Sequence, residues 1–448
     1  MKPRRRVAAP RPPTPAPEAP TRDPGDPARE LVLGVLGDVL YDAHALAPSL
    51  DRALRSLPER EARGFATDVC YGTVRHMRLL EALLAPHLEA PERLPQRVRS
   101  VLLAGAYERA VRGTPAHAAV HAWVERVKRG PARERGLAGL VNAVLRRIDA
   151  SALPAARGAA SLEPWLFARL ESLLGTHAEA AARGMLEPEP LWLSAADPAT
   201  ARVALERDRV EVAPGPLPGS LRVRAPLPLA QLRAFRDGLV QPQNPSSWAV
   251  TWACGEVAGQ RVLDLCSGNG VKAVALAARG ADVVSVDRDA GKLEAAARNA
   301  ARLGVAHQAL RWDLTTAPPL AAAPVVLLDA PCSGTGTLRG HPEIRLRLTP
   351  EALAGLAALQ RRLLQSAAPL VAPGGLLVYA VCALTPDEGP EQITRFLQEH
   401  PDFAPSTPAL GGLPSHPAGP GVVITPEEGR DGFYVAVLTR RAALDPEP

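Results

Sequence analysis

RVLDLCSGNGVKAVALAARGADVVSVD, residues 261–287, is the stretch that decides the fold. A short apolar segment ends at Cys266, a loop with two glycines follows, and an Ala-rich helix leads to a second apolar segment that ends at Asp287. Further segments of the same kind, each a candidate strand, follow at 308–313, 325–331 and 376–383. Strands that alternate with helices in this way predict a doubly wound, mostly parallel sheet of the Rossmann-like type.

The regions around this sheet differ in pattern. Residues 1–27 contain nine prolines and no apolar periodicity, which predicts a disordered basic Pro-rich arm. Residues 28–150 have helical apolar spacing and no alternating pattern, so we predict an all-α module. Residues 151–240 combine a helix, opened by Ser161 as its N-cap, with short β-like segments, and are predicted to be a small α+β linker domain. The sheet domain then spans 241–442.

Composition limits the class of protein. The 448 residues carry a net charge of +5, and the basic excess lies in the first third, with +3 on residues 1–28 and +5 on residues 29–149. A polyanionic partner is therefore permitted. No apolar run approaches the roughly 18 residues that span a bilayer, and the N-terminus lacks an apolar signal core, so we expect a cytoplasmic protein with no membrane partner. The five cysteines form no CxxC pair, and we expect neither disulfides nor a metal site.

Acidic residues at the ends of the predicted strands indicate a nucleoside pocket. Asp287 follows Asp264 by 23 positions, where its carboxylate can accept from both hydroxyls of a ribose, and Asp313 and Asp329 end the next two strands. One such Asp is often a helix N-cap, but capping alone does not explain four in succession. The loop lacks the full GxGxxG and no Walker motif occurs, which favours a nucleoside without phosphates, such as S-adenosylmethionine. The predicted cofactor-binding residues are Cys266, Ser267, Gly268, Asn269, Gly270, Val271, Lys272, Asp287, Asp313 and Asp329.

Two cysteines differ from the other three. Cys70, Cys254 and Cys266 are interpreted as buried filler in apolar segments. Cys332 and Cys382 instead lie at the carboxyl edge of adjacent predicted strands, beside Gly, Ser and Pro turn residues.

Paired thiols suit methylation of a pyrimidine. A thiolate that adds to carbon 6 makes carbon 5 nucleophilic toward a sulfonium methyl group, and a second acid/base group assists the later elimination. Asp329 is predicted to hydrogen-bond N3 of the ring, and Lys272, which ends the glycine loop, either lowers a thiol pKa or orients Asp329. The alternative for Lys272 is an exposed residue in the first turn of a helix.

The stretches DAPCSGTGTLRGHPEI, LLVYAVCALTPDEGPEQI and DGFYVAVL resemble the RsmB/Sun family of RNA 5-methylcytosine methyltransferases. The resemblance implies that Cys382 is the covalent nucleophile, that Cys332 assists product release and that Asp329 binds the pyrimidine. The segments RGFATDVCYGTVRHMRLLEALL and GLVNAVLRRI are similar to the NusB-like RNA-binding domain that is fused to the bacterial rRNA members. This fusion implies that the partner is RNA, and that the target is a cytosine of 16S rRNA.

Three short segments depart from the family pattern. Residues 267–272, Ser-Gly-Asn-Gly-Val-Lys, stand where the family has Ala-Ala-Pro-Gly-Gly-Lys. Val381-Cys382-Ala383 replaces Thr-Cys-Ser, and residues 241–244, Gln-Pro-Gln-Asn, lack an acidic residue of the family. Both thiols and all four aspartates are retained, which predicts an active enzyme.

Two alternatives remain open from the sequence. The chain could be a non-catalytic RNA-binding factor for assembly or antitermination, with a vestigial sheet domain, or it could perform the same chemistry on tRNA. Binding of S-adenosylmethionine would separate the first alternative from an enzyme. The sequence identifies no protein partner and does not specify the modified nucleotide.

Overall fold

The computed structural model describes residues 25–154, 157–224 and 228–442 of the chain. Most of the predicted basic arm, residues 1–24, therefore lies outside the described residues. Residues 25–27, which we assigned to the arm, instead begin the first helix.

Eight α-helices form the N-terminal module, and no strand occurs among residues 25–150. They are α1 (Gly25–Leu40), α2 (Leu46–Leu54), α3 (Arg60–Arg75), α4 (Met77–Leu84), α5 (Gln96–Ala110), α6 (Ala116–Lys128), α7 (Ala132–Arg135) and α8 (Ala138–Arg147). Their apolar faces meet in one core. Inside it the buried Glu108 accepts hydrogen bonds from Arg29 Nε (3.2 Å) and Trp123 Nε1 (2.8 Å). The predicted all-α module is confirmed.

Three further helices follow, namely α9 (Arg157–Ala160), α10 (Pro164–Leu174) and α11 (Ala178–Gly184). The apolar side chains of α10 and α11, such as Leu166 and Leu170, share a core with the C-terminal sheet and not with the short strands that follow. The region predicted as one linker domain, residues 151–240, is thus divided among more than one core, because α10 and α11 belong to that of the C-terminal sheet and the short strands form their own.

The predicted N-cap at Ser161 is wrong. Helix α10 begins at Pro164 after Glu163, and Ser161 Oγ donates to the Gly158 carbonyl at 2.7 Å. Proline is favoured at the first position of a helix because its φ is preset and it has no N–H to leave unpaired. The helix therefore begins two residues later than an N-cap at Ser161 would place it.

A small antiparallel sheet follows, in the order β2-β3-β1-β4. Its elements are β1 (Leu191–Ser194), α12 (Pro198–Arg207), β2 (Glu211–Pro214), β3 (Ser220–Arg224), α13 (Arg233–Arg236) and β4 (Gln241–Pro242). The three predicted β-like segments are all present, and the module has its own core. Because β4 pairs with β1, this sheet extends two residues past the predicted boundary at residue 240.

The large C-terminal sheet contains nine strands, with β11-β12-β13-β9-β8-β5-β6-β7 in order and β10 beside β13. The elements are α14 (Pro245–Ala253), β5 (Arg261–Leu265), α15 (Val271–Ala278), β6 (Asp282–Asp287), α16 (Ala290–Leu303), β7 (Gln308–Arg311), β8 (Ala323–Asp329), α17 (Pro350–Ala367), β9 (Val371–Val381), α18 (Pro390–Glu399), β10 (Phe403–Ser406), β11 (His416–Ala418), β12 (Gly421–Ile424) and β13 (Phe433–Arg440). Strands β9, β8, β5, β6 and β7 are parallel, and the others pair antiparallel. This confirms the predicted Rossmann-like, mostly parallel sheet.

Both faces of this sheet are covered. Along β8, Val325 and Leu327 enter one core, whereas Val326 and Leu328 enter the other, because successive side chains of a strand point to opposite faces. The carboxyl ends of β5, β6, β8 and β9 lie at one edge, where ligands bind in sheets of this type. Within the described residues, no helix combines the length and the apolar character that crossing a membrane requires.

Candidate active site

The glycine loop between β5 and α15 is a tight turn with three residues in the left-handed region. Cys266 has φ of +60°, Gly268 of +55° and Gly270 of +73°. A Cβ on Gly270 would lie 2.5 Å from Ala296 Cβ, so only glycine lets the loop approach α16 this closely. Cys266 is half-buried within this turn, which corrects its interpretation as filler in an apolar strand.

Asp287 holds this loop from the end of β6. Its Oδ2 accepts a hydrogen bond from the Gly268 N–H at 2.9 Å, and its Oδ1 accepts from the Asp289 N–H at 2.9 Å. The predicted pairing of the glycine loop with the acidic end of the next strand is therefore present.

The residues of the loop fit the predicted nucleoside cofactor. Ser267 Oγ is buried and has no hydrogen-bond partner among the residues that the structure describes. A Cβ on Gly268 would meet nothing within 4 Å, so there is open space beside the backbone. Asn269 is exposed at the tip, and Val271 begins α15. An unpaired polar atom beside an open stretch of backbone suits a polar ligand such as S-adenosylmethionine.

Lys272 and Asp329 form an ion pair where α15 faces the end of β8. Lys272 Nζ lies 2.6 Å from Asp329 Oδ2, and Lys272 is 8 % exposed. Burial alone would lower the pKa of Lys272, but the charge and hydrogen bond of Asp329 more than offset this and raise it. The expected orienting role of Lys272 agrees with this contact, whereas an exposed helix residue does not.

Asp264 is fully buried beneath this pair, one residue before the end of β5. Burial, followed by the charge of Asp329, raises the pKa of Asp264 to about 8. The Asp264 carboxyl therefore keeps its proton to a higher pH than an ordinary Asp, which reduces the negative charge close to Lys272.

The two thiols predicted to share a crevice are in contact. Cys332 Sγ and Cys382 Sγ lie 3.3 Å apart, and both cysteines are free. The hydrogen bond with Cys382, followed by burial, raises the pKa of Cys332. A thiol that retains its proton can donate it toward Cys382 Sγ, and such a hydrogen bond stabilises negative charge on that sulfur.

Glu388 holds the turns that carry both thiols, and our sequence reasoning did not single it out. It is fully buried, and its carboxylate accepts from Ser333 N–H (2.7 Å), Ser333 Oγ (2.5 Å), Gln360 Nε2 (3.0 Å) and Thr385 Oγ1 (3.1 Å). The Gly336 N–H also donates to the Cys382 carbonyl at 2.9 Å, which ties the two turns directly. The only signal in the sequence was its place in the PDEG turn after Cys382.

Asp431 is a second carboxyl that sequence reasoning missed. It lies just before β13, and burial raises its pKa to about 8. Its N–H donates to Asn244 Oδ1 at 3.0 Å, and its carbonyl accepts from Ser246 Oγ at 2.7 Å. Two residues on, the Phe433 ring centroid lies 5.3 Å from Lys272 Nζ. The asparagine in the altered 241–244 segment therefore supports the strand beside the ion pair.

Asp313 does not end its strand as predicted. Strand β7 stops at Arg311, and Asp313 is exposed two residues later. Its Oδ1 accepts from the Thr315 N–H at 3.0 Å, so Asp313 caps a turn and not a helix, which was the alternative we had set against a binding role. Its assignment to the adenine of the cofactor stays a prediction.

The remaining cysteines are buried as predicted. Burial in the helical core raises the pKa of Cys70. Burial also raises the pKa of Cys254, to about 12. Across the described ranges, no cluster of three or more His, Cys, Asp or Glu is placed to hold a metal ion.

Comparison with known families matches two parts of the chain. The family described as 16S rRNA methyltransferase RsmB/F matches residues 255–439, and the NusB family matches residues 26–150.

Two curated relatives are similar over most of their length. Ribosomal RNA small subunit methyltransferase B of Thermus thermophilus is 45 % identical over 393 residues, which is 87 % of this chain and 92 % of the relative. The protein of the same name from Vibrio cholerae is 31 % identical over 434 residues, or 92 % of this chain and 97 % of the relative.

Solved structures share the fold. The crystal structure of PH0851 superposes with a TM-score of 0.77 at 22 % identity and covers 93 % of this chain and 99 % of that one. NSun6 from Pyrococcus horikoshii, solved with SFG, has a TM-score of 0.56 at 17 % identity, over 62 % of this chain and 98 % of that one.

Proposed function

The chain belongs to the family of 16S rRNA methyltransferases RsmB/F, and we propose that it methylates carbon 5 of a cytosine in 16S rRNA with S-adenosylmethionine as the methyl donor. The observation that carries this proposal is the contact of two thiols, 3.3 Å apart, next to the Lys272–Asp329 ion pair. Methyl transfer to an oxygen or to an exocyclic nitrogen needs no thiol pair.

The glycine loop, Asp287 and Asp313 would hold the cofactor. Ser267 Oγ and the open backbone at Gly268 would contact its polar groups, and the Asp287 carboxylate would accept hydrogen bonds from its ribose hydroxyls. When bound, S-adenosylmethionine supplies an electrophilic methyl group on its sulfonium.

Cys382 begins the reaction on the base. Its sulfur forms a bond to carbon 6, and the electron pair of the 5,6 double bond becomes available at carbon 5. The hydrogen bond from Cys332 stabilises the thiolate before attack. Asp329 donates a hydrogen bond to N3 at the pyrimidine edge, with the proton that Lys272 Nζ shares with its carboxyl group, and Lys272 holds that carboxyl group in place. The cytosine must leave its stack to reach this crevice.

Cys332 assists the release of the product. The proton on carbon 5 leaves to a base, its bonding pair restores the 5,6 double bond, and the carbon 6–sulfur bond breaks with its pair on Cys382. Cys332 Sγ, at 3.3 Å, donates a hydrogen bond to the departing thiolate.

Bisulfite sequencing tests the proposal. A 16S rRNA transcript is treated with S-adenosylmethionine and either the wild-type chain or the Cys382→Ala variant, and binding of the donor is measured by calorimetry. We expect one protected cytosine with wild type, none with Cys382→Ala, and equal donor affinity for both. Methylation at another atom, or turnover by Cys382→Ala, would contradict the mechanism. A tRNA transcript in parallel tests the alternative substrate.

A further inference from the structure

The chain that follows the Cys332 turn leaves the catalytic sheet and contacts the helical module. We call residues 339–347 the docking segment. Ile344 of this segment packs in the core of the catalytic sheet, whereas Leu346 packs against the core of the helical module. A single short stretch therefore belongs to both cores.

Arg75, the last residue of α3, holds the start of the docking segment. Its Nε (3.3 Å) and Nη2 (2.9 Å) both donate to the Arg339 carbonyl, and Arg75 is only 5 % exposed to solvent. Burial lowers the pKa of Arg75. Within the described residues its hydrogen bonds go to this backbone carbonyl and to no carboxylate. Burying a guanidinium this way costs free energy, which is consistent with a positional requirement at Arg339.

Side chains of the docking segment also form hydrogen bonds with the backbone of the helical module. Arg345 Nη1 donates to the Arg75 carbonyl at 2.6 Å. Glu343 Oε1 accepts from the Leu46 N–H at 3.3 Å. The docking segment is therefore hydrogen-bonded to α3 and to the start of α2, in addition to the hydrogen bonds that it accepts from Arg75.

The residues between Cys332 and Arg339 are held by hydrogen bonds within their own turn and by close packing against the docking segment. Thr337 N–H and Oγ1 both donate to the Gly334 carbonyl at 2.8 Å. A Cβ on Gly334 would lie 2.9 Å from Ile344 Cδ1, so the turn rests directly on the docking segment. We expect a displacement at Arg339 to shift the turn that carries Cys332, because closely packed groups absorb little movement.

We propose that Arg75 of the helical module is a positioning residue for Cys332, so that docking of this module onto residues 339–347 governs the release step. This inference rests on the proposed function, in which Cys332 assists release. It gives the helical module a part in the chemistry in addition to binding RNA.

The test uses the full-length chain with Arg75→Ala, Arg75→Lys and Cys332→Ala. Each is incubated with the 16S rRNA transcript and S-adenosylmethionine, and protein–RNA adduct that resists denaturant is measured together with kcat and KM for the donor. For Arg75→Ala we expect kcat to fall on the order of tenfold, because small displacements of reacting groups are costly, with an unchanged KM and an adduct that rises toward the level of Cys332→Ala. Arg75→Lys retains one donor to the carbonyl and should recover part of the rate.

Arg78→Ala is the matched control. Arg78 also reaches from the helical module to Glu163, just before α10, by an ion pair, and among the described residues no hydrogen bond or ion pair joins it to the docking segment. We expect neither kcat nor adduct to change. If Cys332→Ala traps adduct and neither Arg75 variant does so, the inference is overturned and the proposed function stands. If Cys332→Ala traps nothing, the proposed role of Cys332 fails, and the inference fails with it. An Arg75→Ala chain that does not fold leaves Arg75→Lys to decide, by the same two readouts.

Discussion

Asp264 is a carboxyl group with no exposure to solvent, and its pKa of about 8 makes the stability of the protein depend on pH. In the unfolded chain the group ionises near its ordinary value of 3.8, whereas in the folded protein it stays protonated to about pH 8. Between these values the folded state binds more protons, so the free energy of unfolding falls as pH rises from about 4 to about 8. The slope from one group is at most about 1.4 kcal/mol per pH unit.

Urea unfolding across this pH range checks the prediction. The neutral Asp264→Asn variant should have a flatter profile than wild type, with the difference confined to pH 4–8. Asp431→Asn, at the other carboxyl with a pKa of about 8, should remove a separate part of the slope. Parallel profiles for wild type and Asp264→Asn would show that Asp264 is ionised in the folded state.

Glu388 is the residue on which the geometry of the two thiol turns depends. Replacing it with Ala leaves Ser333, Gln360 and Thr385 with unpaired buried groups, so we expect a loss of about 3–5 kcal/mol in the free energy of unfolding and a large fall in kcat. Denaturant unfolding and steady-state kinetics measure the two effects. Glu399→Ala is the control and should cost less than about 0.5 kcal/mol, because this glutamate is exposed and its side chain accepts a hydrogen bond from Gln365 alone among the described residues. Equal losses for both variants would refute the positioning role of Glu388.

The loop that joins β5 to α15 makes a prediction at the scale of an element. Gly270→Ala combines a left-handed φ with a Cβ 2.5 Å from Ala296 Cβ, whereas Gly268→Ala has a similar φ and open space around the new methyl group. We expect a cost of about 1–2 kcal/mol for Gly268→Ala, from backbone strain alone, and about 1–3 kcal/mol more for Gly270→Ala.

Unfolding curves of the two variants measure this difference directly. Gly268→Ala should in turn lose more affinity for S-adenosylmethionine, since its new methyl group occupies the space proposed for the ligand. The opposite ranking of donor affinities would place the cofactor elsewhere on the sheet.

At the scale of the whole molecule, the junction between the helical module and α11 encloses a cationic cavity of about 510 Å³. Arg75, Arg157 and Arg183 line it with a single carboxylate, Glu187. Because RNA binding by arginine releases counterions, the proposed function predicts that affinity for 16S rRNA falls with salt, and that Arg157→Ala lowers the slope of log K against log salt by about 0.7.

Filter binding at several salt concentrations tests this prediction. Arg298→Ala is the control, because Arg298 lies on α16 and pairs with Glu294. An unchanged slope for Arg157→Ala would exclude a phosphate contact at this cavity, without bearing on the thiol chemistry.

Some site residues could be predicted from the sequence, and others could not. Cys332 and Cys382 were paired correctly because both end predicted strands, and the ends of adjacent parallel strands meet at one edge of the sheet. Asp313 was predicted to end β7, but the strand ends at Arg311 and Asp313 lies in the turn after it. A pattern of residue types does not show where a strand ends and the next turn begins. Glu388 could not be found, since its partners Ser333 and Gln360 are 55 and 28 positions away.

The sequence by itself determined the kinds of element, their order and the family of the chain, because helical and strand periodicity and the motif residues depend on near neighbours along the chain. The tertiary structure alone decided that residues 162–185 join the catalytic core and that Arg75 reaches Arg339, 264 positions away. Such contacts depend on how helices and strands pack against one another after they form. The local spacing of residues does not specify which distant backbone group a buried side chain will contact.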